Sequence, residues 1–179
     1  MKASRKVATQ IADRVMVVGC SGAGKSTLAV ELGRRYELPV VHLDAHYWRP
    51  GWVRPSDEEW AATVGELVEN PRWIHDGNYN ATLPVRLPRA ELVVFVDLAR
   101  WRCLWRITRR RLAGAMIHDL PGCRERFDLD FYRYVWRFPR HSRNRLLDNL
   151  NRHLPPGVRL VRLRSPRQVR GFLRSLSAN

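Results

Sequence analysis

Apolar residues recur along the chain in short dense runs, with stretches of helical spacing between them. RVMVVG (14–19), PVVHLD (39–44), RWIHDG (72–77), LVVFVD (92–97) and VRLVRL (158–163) predict strands. Short runs rich in Val or Ile, without strict polar alternation, are expected of parallel strands covered on both faces. Between them, Lys25 to Tyr36 predicts a helix. Another starts at the Ser56-Asp57-Glu58-Glu59 capping box and runs to Glu69, ahead of Asn70-Pro71. Trp101, Leu104, Trp105, Thr108 and Leu112 fall at helical spacing after the fourth strand. A long helix is predicted over 129–151, bent at Pro139. Ser165-Pro166 opens the last one, with Ser at the cap and Pro in the first turn.

This alternation implies βαβ units, and so an α/β fold with a parallel sheet and helices on both faces. No repeat or low-complexity linker interrupts it, and 179 residues suit one domain with a real core. Two irregular stretches, 45–55 and 114–127, can reach the carboxyl edge of the strands, where such sheets bind ligands.

Gly19, four residues, then Gly24-Lys25-Ser26 matches the G-x-x-x-x-G-K-[ST] phosphate-loop pattern. It sits between a predicted strand and a predicted helix, as its mechanics require. Glycines let the backbone turn tightly and bring its N–H groups to phosphate oxygens, and the positive end of the helix points at the same oxygens. Gly22, Ala23, Gly24, Lys25, Ser26 and Thr27 are therefore the expected nucleotide-binding residues. Lys25 bridges the β- and γ-phosphates, and the Ser26 hydroxyl ligates Mg²⁺. Cys20, inside the loop, reads as a tolerated small residue rather than a redox switch.

Two carboxylates are expected near this loop, because Asp44 ends the second predicted strand and Asp76 the third. Transfer of a phosphoryl group to a hydroxyl needs a base for the acceptor and an acidic residue near Mg²⁺. Asp44 is the expected base, and Asp76 joins Ser26 as a metal ligand. Asp97, before a helix, reads as an N-cap. Tyr47, Trp48 and Trp52 either stack on an acceptor or cover the core. His42 and His118 carry no usable pattern.

Charge adds a second theme. Residues 1–99 hold 12 basic and 12 acidic side chains, whereas residues 100–179 hold 20 and 5, so the whole net charge of +15 arises in the second half. Such a field attracts polyanions, whether nucleotide or nucleic acid. Arg102, Arg106, Arg109, Arg110 and Arg111 crowd one helix; Arg124 and Arg126 follow it, then Arg137, Arg140 and Arg143. Most form a solvated face. Arg106, Arg110 and Arg126 are the ones expected in the site, where they neutralise the transferring group. The three cysteines show neither metal spacing nor a disulfide framework, which suits a reducing cytoplasm. No apolar run is long enough to span a membrane, so a soluble protein is expected. Residues 1–13 read as a basic tail rather than a signal peptide.

The run GCSGAGKSTLAVELG, HLDAHYWRPGW, WIHDGNY, LPRAELVVFVDL, PGCRERFDLDF, WRFPRHSR and VRLRSPRQV resembles the adenylate-kinase-related P-loop proteins often called DNA topology modulation proteins. The resemblance implies a P-loop nucleoside triphosphate hydrolase fold of the nucleoside/nucleotide-kinase type. That means a five-stranded parallel sheet, ATP and Mg²⁺ binding, an acceptor-side segment at 45–71 and an arginine-bearing lid at 112–127. Adenylate kinases follow the third strand with Asp-Gly-Phe-Pro-Arg, whose Arg holds the acceptor's phosphate. Here the run is Asp76-Gly77-Asn78-Tyr79-Asn80, without Arg or Pro, which leaves Arg49, Arg54 or Arg86 as substitutes. Asp44-Ala45-His46-Tyr47 is instead similar to P-loop kinases that phosphorylate hydroxyls.

The sequence thus predicts a kinase acting from ATP on a hydroxyl of a nucleoside-like or natural-product acceptor. The alternatives are a nucleic-acid-directed protein (a polynucleotide 5′-hydroxyl kinase or a topology-modulating ATP binder), a nucleoside monophosphate kinase, and a bare ATPase switch.

Overall fold

The computed structural model describes residues 11–113, 123 and 129–176. Its strands are β1 (Arg14–Gly19), β2 (Val40–His42), β3 (Trp73–Asp76), β4 (Leu92–Val96) and β5 (Arg159–Leu163). They pair in parallel as one sheet in the order β2-β3-β1-β4-β5. The first half of the chain supplies helices α1 (Lys25–Tyr36), α2 (Leu43–Tyr47), α3 (Asp57–Glu69) and α4 (Leu83–Arg86). The second half supplies α5 (Arg100–Leu112), α6 (Leu129–Arg137), α7 (Ser142–His153) and α8 (Pro166–Ser175).

β1 is buried along nearly its whole length because both faces of the sheet are covered. Val15 and Val17 face Leu28 and Leu32 of α1, Cys103 and Ile107 of α5, and Val135 of α6. Met16 and Val18 face Trp60 and Val64 of α3, Leu83 of α4, and Leu146 and Leu150 of α7. Both sets are apolar, so the run reads as continuous hydrophobicity. The chain leaves β1 for β2, returns through β3 and then crosses to β4. This order opens a crevice beyond the carboxyl end of β1. Register aligns that edge: Val17 and His42 lie opposite Asp76, and Gly19 opposite Val96.

Local signals explain several boundaries. The Ser56 hydroxyl accepts from the Glu59 N–H at 3.1 Å, and the Glu59 carboxylate accepts from the Ser56 N–H at 3.0 Å. At α8 the Ser165 hydroxyl accepts from the Gln168 N–H, with Pro166 in the first turn, where its missing donor costs nothing. Among the described residues, no helix is long and apolar enough to cross a membrane.

Three expectations change. β2 ends at His42, so Asp44 lies in the first turn of α2 and not at a strand end. The long helix over 129–151 is two helices: α6 stops at Arg137 and α7 starts at Ser142, with Pro139, which has no N–H to donate, between them. Asp97 is no N-cap, because Ala99 precedes α5 without a side-chain cap. Asp97 instead accepts from Arg143 at 3.0 Å and from Arg162 at 2.6 Å, which ties α7 and β5 to the end of β4. The helix expected after the fourth strand is α5, which buries Cys103 and Ile107, while Trp101 and Trp105 stand 57% and 58% exposed. The expected lid at 112–127, with Arg124, Arg126 and His118, lies outside the described residues except for its edge and Cys123, as do residues 1–10 of the tail.

Candidate active site

The turn after β1 can be built only from glycine at two points. Gly22 (φ 79°) and Gly24 (φ 93°) adopt left-handed backbone, and a Cβ on Gly22 would lie 2.5 Å from the Cys103 carbonyl oxygen. α5 therefore packs directly against the loop. Gly24 precedes α1 without a side-chain cap, so the first-turn N–H groups of Lys25, Ser26 and Thr27 have no intrahelical partner. Together with the helix dipole they form a site for phosphate oxygens. The Lys25 ammonium rests 3.3 Å from the Cys20 carbonyl of the same loop. Cys20 itself is buried, and its hydrogen bond to Cys103 and burial push the thiol well up. It stays protonated, as a small packing residue should.

A cavity of about 940 Å³ lies over this loop. Its wall includes Gly22 to Thr27, His42, Arg106 and Arg110, with Pro166, Val169 and Arg170 of α8 at the far side. Arg106 donates to the Ala23 carbonyl at 2.9 Å, which places its guanidinium against the loop, and Arg110 follows one helical turn later. Of the three arginines expected here, these two reach the cavity; Arg126 lies outside the described residues.

Asp76 is buried at the end of β3, and its Oδ2 accepts from His42 Nδ1 at 3.0 Å. Burial pushes this carboxyl up, but the His42 hydrogen bond, the Lys25 charge and the Ser26 hydroxyl outweigh it and hold the group below its ordinary value. The other oxygen, Oδ1, is buried without a hydrogen-bond partner. An ionised carboxylate with a spare oxygen, beside a hydroxyl and a phosphate loop, is the hard-oxygen donor set that Mg²⁺ takes. The residues present fit the metal.

The run after β3 is held by Asn78, Tyr79 and Arg86, the last of which the sequence offered as a substitute acceptor arginine. Asn78 exchanges two hydrogen bonds with the backbone of Gly19, at 2.7 and 2.8 Å. Tyr79, at φ 38°, donates from its hydroxyl to Asp44 Oδ1 at 2.6 Å. Burial and the Asp44 charge push that phenol well up, so it remains a donor. Arg86 is fully buried and donates to the carbonyls of Gly77, Asn78 and Tyr79. Burial pulls its guanidinium down to about 9, still charged at neutrality. Arg86 is therefore committed to this loop and does not substitute for the missing acceptor arginine, while Arg49 pairs with Glu59 at 3.2 Å.

Around Asp44, Tyr47 packs on Trp60 and Tyr79 with ring centroids 5.0 and 4.7 Å apart. Trp48 and Trp52 continue the cluster outward. Tyr47 thus joins the core, as one of the two readings had it. His42 was the site residue hardest to find, since its role depends on the β2–β3 register.

No family model matches the sequence, and no curated protein does. Solved structures do. A shikimate kinase from Acinetobacter baumannii, in complex with shikimate, aligns over 94% of this chain and 92% of its own, at 12% identity and a TM-score of 0.60. A gluconokinase from Sinorhizobium meliloti aligns over 94% and 91%, at 17% identity and a TM-score of 0.50. A shikimate kinase from Aquifex aeolicus aligns over 93% and 97%, at 17% identity and a TM-score of 0.51. At such identities the likeness is one of architecture: the chain has the α/β fold of P-loop kinases.

Proposed function

We propose that the protein is a P-loop phosphotransferase that moves the γ-phosphate of Mg-ATP to a hydroxyl of a small-molecule acceptor. The observation that carries this reading is the pairing of two carboxylates with distinct surroundings at one sheet edge. Asp76 is buried beside Ser26 and Lys25, and Asp44 is exposed across the Tyr79 hydroxyl.

In this reading the Gly22–Thr27 backbone cradles the phosphates and Lys25 leaves the Cys20 carbonyl for the β- and γ-oxygens. Ser26 and Asp76 hold Mg²⁺, which when bound neutralises phosphate charge. Asp44 orients the acceptor hydroxyl and takes its proton as the oxygen attacks phosphorus, and ADP leaves. Arg106 and Arg110, together with Arg126, stabilise the charge on the transferring group. The far wall of Pro166, Val169 and Arg170 suits the nucleotide base. The motifs shared with the DNA topology modulation proteins support a place in that group.

The test is ADP release across a panel of hydroxyl compounds. Acceptor-dependent turnover is expected, and Asp44→Asn should lower it about 10²–10⁴-fold with ATP affinity kept. Equal turnover in the variant, or ADP release indifferent to every acceptor, would falsify the assignment.

A second reading has one observation in its favour. The exposed indoles of Trp101 and Trp105 each carry an arginine over the ring, Arg102 at 4.4 Å and Arg109 at 5.4 Å. Indoles stack on bases and guanidinium groups meet phosphates, so this face suits a nucleic-acid acceptor.

A further inference from the structure

A second concavity, of about 340 Å³, opens where α6 gives way to α7. Its wall is Asp130, Arg133, Tyr134, Arg137, His141 and Ser142. The charges do not balance. Arg133 lies 3.4 Å from Asp130 within one turn. Arg137 and His141 have no side-chain hydrogen bond or ion pair among the described residues. Several arginines in this half of the chain have another occupation: Arg109 covers an indole, and Arg143 and Arg162 clamp Asp97. Arg137 instead borders a hollow together with an imidazole and two hydroxyls.

The hollow also faces the reaction centre. Ser142 in its wall opens α7, whose next residue, Arg143, is bonded to Asp97 just past β4, and the end of β4 pairs with Gly19; the Tyr134 hydroxyl interacts with Asn78 and Ser142. Asn78 is bonded in turn to Gly19 at the head of the phosphate loop. A molecule seated in the groove therefore lies at the same sheet edge as the phosphate loop and Asp44.

We propose that this groove is the anion subsite of the acceptor, so that the hydroxyl compound carries a carboxylate or phosphate held by Arg137 and His141. The inference rests on Asp44 as the acceptor-side carboxylate. It also resolves the fate of the arginine missing after Asp76: with Arg86 buried in the loop, the anion is met from α6 and the α6–α7 turn. A guanidinium matches either oxyanion with paired N–H donors.

The experiment needs no turnover. The full chain is saturated with Mg²⁺ and a non-hydrolysable ATP analogue, which fills the phosphate loop, and is titrated calorimetrically with malonate and with inorganic phosphate. One saturable site is expected. Arg137→Gln should weaken it about 10–100-fold, the loss of a charge-assisted pair, and Arg152→Gln, exposed in the last turn of α7, should leave it unchanged. The tighter of the two anions identifies the group as carboxylate or phosphate. Absence of saturable binding by both, or equal binding in Arg137→Gln, overturns the subsite. The kinase reading fails separately, through the acceptor panel.

Discussion

His75 shows how a single residue can set the acid limit of this fold. It alternates with Asp76 along β3, is sealed from solvent, and stacks on Trp73 with ring centroids 4.0 Å apart. Both ring nitrogens lack hydrogen-bond partners. Burial, followed by the charge of Arg86, pulls its pKa down from 6.5 to about 3. The unfolded chain therefore takes up this proton below pH 6.5, while the folded chain refuses it until about pH 3. The contribution is complete above the unfolded value and is lost as pH falls toward the folded one. Linkage puts the loss between pH 7 and pH 5 at about 2 kcal/mol. His75→Phe, which keeps a ring against Trp73, should abolish that slope. Urea unfolding at the two pH values checks it, and an unchanged slope would assign the acid sensitivity elsewhere.

At the scale of elements, the loop after β3 is organised by Arg86 more than by its own sequence. Three carbonyls converge on one buried guanidinium. Arg86→Met keeps the volume but strands those acceptors away from water, and should cost about 3–5 kcal/mol in denaturant unfolding. ATP binding should weaken as well, because Asn78 loses its hold on Gly19. Arg86→Lys should recover part of both, and a loss in neither quantity refutes the role. The sequence offered Arg86 only as a substitute acceptor arginine, because its burial follows from the docking of the α4 segment. The strands were different: each lies within the span its apolar run marked, since hydrophobic density needs no knowledge of partners. α5 shows the limit of periodicity. Its pattern of Trp101, Trp105 and Leu112 marked a helix, yet packing selected Cys103 and Ile107, small enough to approach Gly22.

For the whole molecule, the charge asymmetry becomes a spatial fact through α5, whose outer face combines indoles with guanidinium groups. If that face takes single-stranded nucleic acid, filter binding of an oligonucleotide should weaken steeply between 50 and 200 mM salt. Trp105→Ala should cost a further 5–100-fold or so at fixed salt. No retention at low salt removes this reading and leaves the acceptor small. The phosphate loop and the sheet were legible because each follows from short-range rules. The surroundings of Asp76 and Asp44 were not, because the places of His42, Tyr79 and the groove at Arg137 depend on strand order and on the break at Pro139. The amide of Asn78 takes both backbone groups of Gly19, so the phosphate loop and the run after β3 that carries Tyr79 to Asp44 are riveted together as one stator. Neither must wait for the other to be shaped, and ATP and acceptor should add in random order.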